Sequence, residues 1–153
     1  MAERAFTVED VKKLIGIEGK PLSLEISKWM IQKFVRAVGD DNPLWQDEEY
    51  ARKTKYGGII APPSLLLAVI FSGSGTRPDI PFPYPRVLDG GIETEIYLPI
   101  KPGDVITSVT KFVDLKEREG KAGKMLFLIF ETTHTNQKGE IVAKTRSTLI
   151  NLE

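Results

Sequence analysis

IIAPPSLLLAVIFSG, residues Ile59–Gly73, decides how the chain folds. Two prolines stand at its head, where a fixed φ opens a helix and a missing N–H costs nothing; neither could sit inside one. From Leu65 to Phe71 every residue is apolar, so the helix predicted over 64–73 has no polar face and is buried all round. Four strand-like stretches follow: Val87–Ile100, Val105–Leu115, Lys124–Thr135 and Ile141–Leu152. The connections KPGD, KEREGKAG and NQKGE each carry a glycine for a turn. Helices followed by a run of strands predict an α+β protein with one antiparallel sheet, here curled around the buried helix.

Upstream of this segment the pattern is helical. Ser27 is placed to cap a helix whose residues Met30, Phe34, Ala37 and Val38 share an apolar face, and Gly39 stands where a helix ends. Asp47 caps a second, short helix with Glu48 and Glu49 in its first turn, as the helix dipole prefers; Gly57-Gly58 closes it. No repeat, low-complexity tract or long linker interrupts the 153 residues. Residues 1–153 are therefore read as one domain, long enough to bury roughly 70% of the unfolded surface.

Composition excludes several function classes. Lys plus Arg equals Asp plus Glu at 21 each, so no excess of positive charge draws a polyanion, and no basic cluster marks a nucleic-acid footprint. Cysteine is absent, which removes thiol catalysis, disulfides and Cys-ligated zinc; no metal site is expected. The charged start MAERAFTVEDVKK lacks the apolar core of a leader. The longest apolar run, Leu65–Phe71, is too short to span a bilayer. The expectation is a cytoplasmic protein that uses neither membrane nor nucleic acid.

Three segments carry a further signal: FVRAVGDDNPLW (Phe34–Trp45), YGGIIAPPSLL (Tyr56–Leu66) and IYLPIKPGDVI (Ile96–Ile106). In this order and spacing they resemble the MaoC-like hydratases and dehydratases, over nearly the whole chain. That resemblance implies the hot-dog fold, an antiparallel sheet wrapped around a long central helix. It also implies addition of water to, or its removal from, an acyl thioester, with acyl-CoA or acyl-ACP as substrate and no cofactor. Active members carry a loop of the form G-D-x-N-P-L-H, whose Asp and His hold the water. They also carry a second motif, G-x-x-A-H-G, whose glycine N–H binds the thioester oxygen. The reaction needs a base for the water, an acid for the α-carbon and a donor for the enolate-like oxygen.

The match is partial. Asp40, Asn42, Pro43 and Leu44 fit the loop, but Trp45 stands where the His belongs, and an indole N–H only donates. Pro62 and Pro63 replace the second His and the glycine, and proline has no N–H. No catalytic set is complete. The single histidine, His134, falls beside the NQKGE turn and is expected at the surface. In these losses the chain resembles the N-terminal, non-catalytic type of the family, as in the non-catalytic subunit of (3R)-hydroxyacyl-ACP dehydratases. The resemblance thus implies a substrate-binding, structural subunit whose catalytic Asp and His come from a homologous MaoC-like hot-dog partner, with a homodimer forming when the chain is alone. The candidate substrate-binding residues are Asp40, Asn42, Trp45, Tyr56, Pro62, Pro63, Leu66 and Ile70. Two other readings stay open: a homodimeric acyl-CoA hydratase working through Asp40, and a non-enzymatic acyl-thioester binder. A thioesterase would want a carboxylate on or beside the central helix, and SLLLAVIFSG has none.

Overall fold

The computed structural model describes residues 6–72, 76–120 and 123–153, with backbone alone for 69–72. Its centre is a five-stranded sheet in the order β1-β3-β4-β5-β2. The strands are β1 (Leu22–Glu25), β2 (Arg86–Ile96), β3 (Val105–Gly120), β4 (Gly123–Thr135) and β5 (Ile141–Leu152), and every neighbouring pair is antiparallel. Two bulges, between Asp89 and Gly91 on β2 and between Phe112 and Asp114 on β3, bend these strands, adding local twist that lets a long sheet curl. The first requires its glycines. Gly91 has φ +111°, and a Cβ on Gly90 would lie 3.0 Å from the side chains of Ile150 and Thr148.

Helix α2 (Lys28–Val38) is capped by Ser27, whose hydroxyl accepts from Met30 N at 3.1 Å, and ends at Gly39 with φ 70°. Helix α3 (Glu48–Arg52) is capped by Asp47, which accepts from the amides of Glu49 and Tyr50. Helix α4 (Ser64–Ser72) follows the two prolines as expected. Its Leu65 and Leu66 are buried against Ile106 and Ala143 of the sheet. Leu67 and Ala68, however, are only half-buried; one curled sheet covers one side of a helix, so burial all round is not reached within a single chain. No helix among the described residues is long and apolar enough to cross a membrane.

Strand register organises the inner face into rows. Alternate residues point the same way, so the pairings stack Phe112, Phe130, Ser147 and Ile92 in one row and Thr110, Thr132, Thr145 and Thr94 in the next. On one side of the threonine row lies a core of Val11, Ile80, Phe112, Leu126, Leu128 and Phe130. There the rings of Phe112 and Phe130 meet at 5.3 Å. On the other side Ile26, Ile31, Val35, Trp45, Leu65 and Leu66 pack together. Two apolar cores flank a buried polar band.

Four other departures from the sequence reading concern where elements begin and end. A short helix, α1 (Val8–Lys12), is built on a capping box in which Thr7 and Asp10 bond reciprocally. Strand β1 adds an edge beside β3. KEREGKAG does not read as a loop over Lys116–Gly120, which stays paired with Gly123–Phe127. The expected strand Val87–Ile100 ends at Ile96 because Tyr97 N and Leu98 N both turn to the Val142 carbonyl, and Pro99 has no N–H with which to resume the ladder.

Phe130 is fully buried between strands and core. Phe130→Ala is expected to lower the unfolding free energy by about 3–5 kcal/mol, read from the midpoint shift in urea denaturation at unchanged slope.

Candidate functional site

The loop after α2 is built by its own hydrogen bonds. The left-handed Gly39 turns the chain so that Asp40 N donates to Val35 O at 2.9 Å. The Asp40 carboxylate then accepts twice from residues that follow it: Oδ1 from Asn42 N at 3.1 Å and Oδ2 from Trp45 Nε1 at 2.9 Å. Its carbonyl accepts from the Gln46 amide at 3.1 Å. Asn42 caps the single 3₁₀ turn Pro43–Trp45 by accepting from Leu44 N at 3.0 Å. The loop therefore delivers the Trp45 ring, 9% exposed, into the core and locks it there through its nitrogen.

The other face of that indole meets a cavity of about 370 Å³. Of the candidate binding residues, Trp45, Tyr56, Pro62, Pro63 and Leu66 all line it. Asp40 and Asn42 do not; they stand behind Trp45 and hold it. The side chain of Ile70 lies outside the described residues. The walls are mainly apolar, with Ile60, Ile96, Leu98 and Ile100 completing them. The helix start is hung from the KPGD loop by Ala61 N donating to Ile100 O at 2.7 Å. Ser64 is thus the first residue of α4 with an N–H, and the two positions before it offer none.

Lys55 also lines the cavity, and its ammonium lies 5.1 Å from the centre of the Tyr56 ring. Nearby Arg52 and Lys53 are paired with Glu48 and Glu49, whereas Lys55 has no ion pair among the described residues. Across the cavity, Tyr97 donates to Glu95 at 2.6 Å, a bond that raises its phenol pKa. Among the described residues the site is a mainly apolar chamber with Lys55 as its unpaired cation and no carboxylate or imidazole in its lining.

His134 was expected at the surface and is instead fully buried. Its Nδ1 bonds Ser108 Oγ at 2.8 Å and its Nε2 bonds Thr145 Oγ1 at 3.2 Å. The signal was strand parity: in MLFLIFETTHT, His134 falls in phase with the buried Leu126, Leu128, Phe130 and Thr132, and this outweighs nearness to a turn. Burial pushes the imidazole pKa down to about 4. Because His134 neither bonds Asp40 nor lines the Trp45 cavity, it does not rebuild the missing pair.

Residues 13–145 match the family model described as FAS1-like, dehydratase domain region. A relative from Thermobifida fusca, known only as a UPF0336 protein, is 30% identical over 118 residues, covering 75% of this chain and 76% of the other. A probable enoyl-CoA hydratase alpha subunit of Thermomonospora curvata is 29% identical over 138 residues, which cover 79% of this chain and 43% of that larger protein. Among solved structures, a chain of the ChsH1–ChsH2 complex from Mycobacterium tuberculosis superposes with a TM-score of 0.80 at 21% identity, covering 95% of this chain and 93% of that one. That likeness establishes the fold.

The buried imidazole fixes a pH dependence. Its folded pKa lies below the ordinary 6.5, so between these values the unfolded chain binds a proton that the folded chain refuses, and stability rises with pH. Stability is expected to fall by roughly 2–3 kcal/mol as pH drops from about 6.5 to about 4. Denaturation midpoints across that range, compared with His134→Gln, check it: the variant should flatten the slope, and an unchanged slope would assign it to other groups.

Proposed function

The chain belongs to the FAS1-like dehydratase-region family, a group of MaoC-like hot-dog proteins, and from that membership we propose a specific role. It is the substrate-binding, structural subunit of an (R)-specific enoyl-thioester hydratase or 3-hydroxyacyl-thioester dehydratase. The catalytic Asp and His come from a partner hot-dog subunit, the substrate is an acyl-CoA or acyl-ACP, and no cofactor takes part. One observation carries the reading: the Trp45 indole occupies the carboxylate of Asp40.

Hydration of an enoyl thioester requires removal of a proton from water as oxygen reaches the β-carbon, then protonation of the α-carbon. Negative charge gathers meanwhile on the thioester oxygen. Trp45 supplies a donor where a base is needed. Asp40 commits both oxygens to its own loop, and Pro62 and Pro63 withhold the N–H groups that would face the developing charge. What remains is suited to holding an acyl chain, with Ile60, Leu66, Ile96 and Leu98 as walls. Burial of apolar chain there is worth about 0.8 kcal/mol per methylene. Free Lys55 offers a cation to an anionic carrier.

Incomplete covering supports a partner. Strand β2 is a sheet edge with Val87, Leu88 and Ile96 exposed, and open apolar edges invite pairing. The relative named as an alpha subunit, and the two-component complex with the similar fold, agree with a two-subunit enzyme.

Purified alone, the chain should hydrate enoyl-CoAs at least about 100–1000-fold more slowly than a complete enzyme, the usual effect of losing one oxyanion donor. Asp40→Asn should leave that residue of activity unchanged. Vigorous turnover abolished by Asp40→Asn would instead establish the homodimeric enzyme. Co-expression with a family member holding an intact Asp/His loop should give an active complex, in which Leu66→Trp depresses turnover of long relative to short enoyl thioesters. An active complex with an unchanged ratio would reduce this subunit to a scaffold, and failure to form any complex would refute the role.

A further inference from the structure

A second cavity, of about 270 Å³, lies on the same inner face of the sheet. Both draw lining residues from β2. Ile96 lines the first cavity and Ile92 the second, and Thr94 stands between them on the same face. Its hydroxyl shares a 3.1 Å hydrogen bond with Thr145, which also lines the second cavity. Four residues of strand separate the two, a span of about 13 Å.

The chemistry of the second cavity differs from that of the first. Thr132 and Thr145 are buried there with their hydroxyls engaged by Thr110, Thr94 and His134. Arg77 and Ser147 line it without any hydrogen bond or ion pair among the described residues. The Arg77 guanidinium lies 5.2 Å from the centre of the buried Phe130 ring. Its backbone is pinned: Gly19 N donates to Thr110 O at 2.8 Å, and Gly19 passes so close that a Cβ on it would meet Thr76 O at 1.9 Å and Arg77 C at 2.8 Å. Asp89, on the opposite wall, accepts from Gly91 N with one oxygen and brings a negative charge near the arginine. Arg77 and Asp89 are both exposed, so the guanidinium donors and the carboxylate stand at the solvent-open rim of this chamber, above the buried Thr132 and Thr145. A hydrocarbon end would displace water from those donors without replacing its hydrogen bonds, and a carboxylate would meet the charge of Asp89. A neutral oxygen satisfies Arg77 as acceptor, and a hydroxyl can also donate to Asp89.

We propose that this second chamber recognises a neutral oxygen function, a hydroxyl or ketone, at the far end of the acyl chain. Arg77 and Ser147 are its specificity residues, and Asp89 excludes a terminal carboxylate. The proposal rests on reading the first cavity as the acyl site. It assigns the subunit to thioesters of oxygenated chains rather than plain fatty acyl groups, so the reaction supplying its substrate is one that leaves an oxygen distal to the thioester.

The test is calorimetric titration of the full chain with CoA thioesters of increasing length, each plain, ω-hydroxylated or ω-carboxylated. At the length that spans both cavities, the ω-hydroxy chain should bind about tenfold tighter than the plain one, and the ω-carboxy chain should bind weaker than the ω-hydroxy chain. Arg77→Met should erase the hydroxyl advantage at that length, leaving the plain chain bound at least as tightly as before. Asp89→Asn, which keeps the acceptor for Gly91, should move the preference toward the ω-carboxylate. Equal affinity for plain and ω-hydroxy chains at every length, with plain chains still binding and Leu66→Trp weakening them, would overturn this inference and spare the subunit role. A hydroxyl advantage surviving Arg77→Met would overturn the assignment to Arg77. Binding of no acyl thioester at all would overturn both readings.

Discussion

Four threonines laid across four strands, Thr110, Thr132, Thr145 and Thr94, set the terms for everything on the inner face. Three of them are buried, and a buried hydroxyl without a partner costs on the order of 1–3 kcal/mol. Here they satisfy one another: Thr110 bonds Thr132, Thr94 bonds Thr145, and His134 links Thr145 to Ser108. No buried side-chain polar atom among the described residues lacks a partner. A one-residue slip of any strand would turn its hydroxyl to the outer face and strand its neighbour's. The band therefore selects one register, and that register places the Phe112–Phe130 core on one side and the α4 core on the other.

A polar band across a hydrophobic face also divides the space beneath the sheet. The Trp45 cavity belongs to the apolar half, and the Arg77 cavity to the band itself, where Thr132 and Thr145 line it. Division by hydrogen bonds differs from division by bulk: a hydroxyl pair bars water-like groups less than apolar ones, and it offers partners to anything polar that lies across it. The same imidazole that braces the wall is lost to proton transfer. Burial holds His134 neutral far below its usual pKa, and both its nitrogens are spoken for.

How much of this could be read in the residues depended on the kind of signal. The helix at Ser64 was legible because two prolines and an unbroken apolar run leave few alternatives. The loop from Gly39 to Trp45 was legible because Gly, Asp, Asn and Pro each have a local task there, and Asp40, Asn42 and Pro43 perform them. The hairpin end at Lys116–Gly120 was hidden because its charged residues suit solvent on both faces of a protruding ribbon, where composition looks like a loop. β1, only four residues long, has too few positions for alternation to register. His134 was misplaced by its nearness to a turn: polar residues on strands are ordinarily assigned to the outside, and only the partner strands reveal that such residues satisfy each other within. Arg77 was beyond reach, since its place depends on Gly19, nearly sixty positions away in the chain and pressed against its backbone.

The exposed edge links these features. β2 contributes Ile96 to the first cavity and Asp89 and Ile92 to the second, and it pairs on one side only, with β5. Its apolar side chains at Val87, Leu88 and Ile96 remain exposed, as does Tyr97 just beyond its end. On α4, Leu67 and Ala68 are left half-covered. A chain with these surfaces has its binding chambers finished on the inside and unfinished at the rim. Covering the β2 edge would remove apolar surface from water and complete the outer wall of both cavities in one act, so association and ligand retention are coupled through the same strand. That coupling gives a physical reason for a site without a base to be worth keeping. On the role proposed above, the acyl chain would lie along β2, while the group that activates water would come with whatever completes the wall.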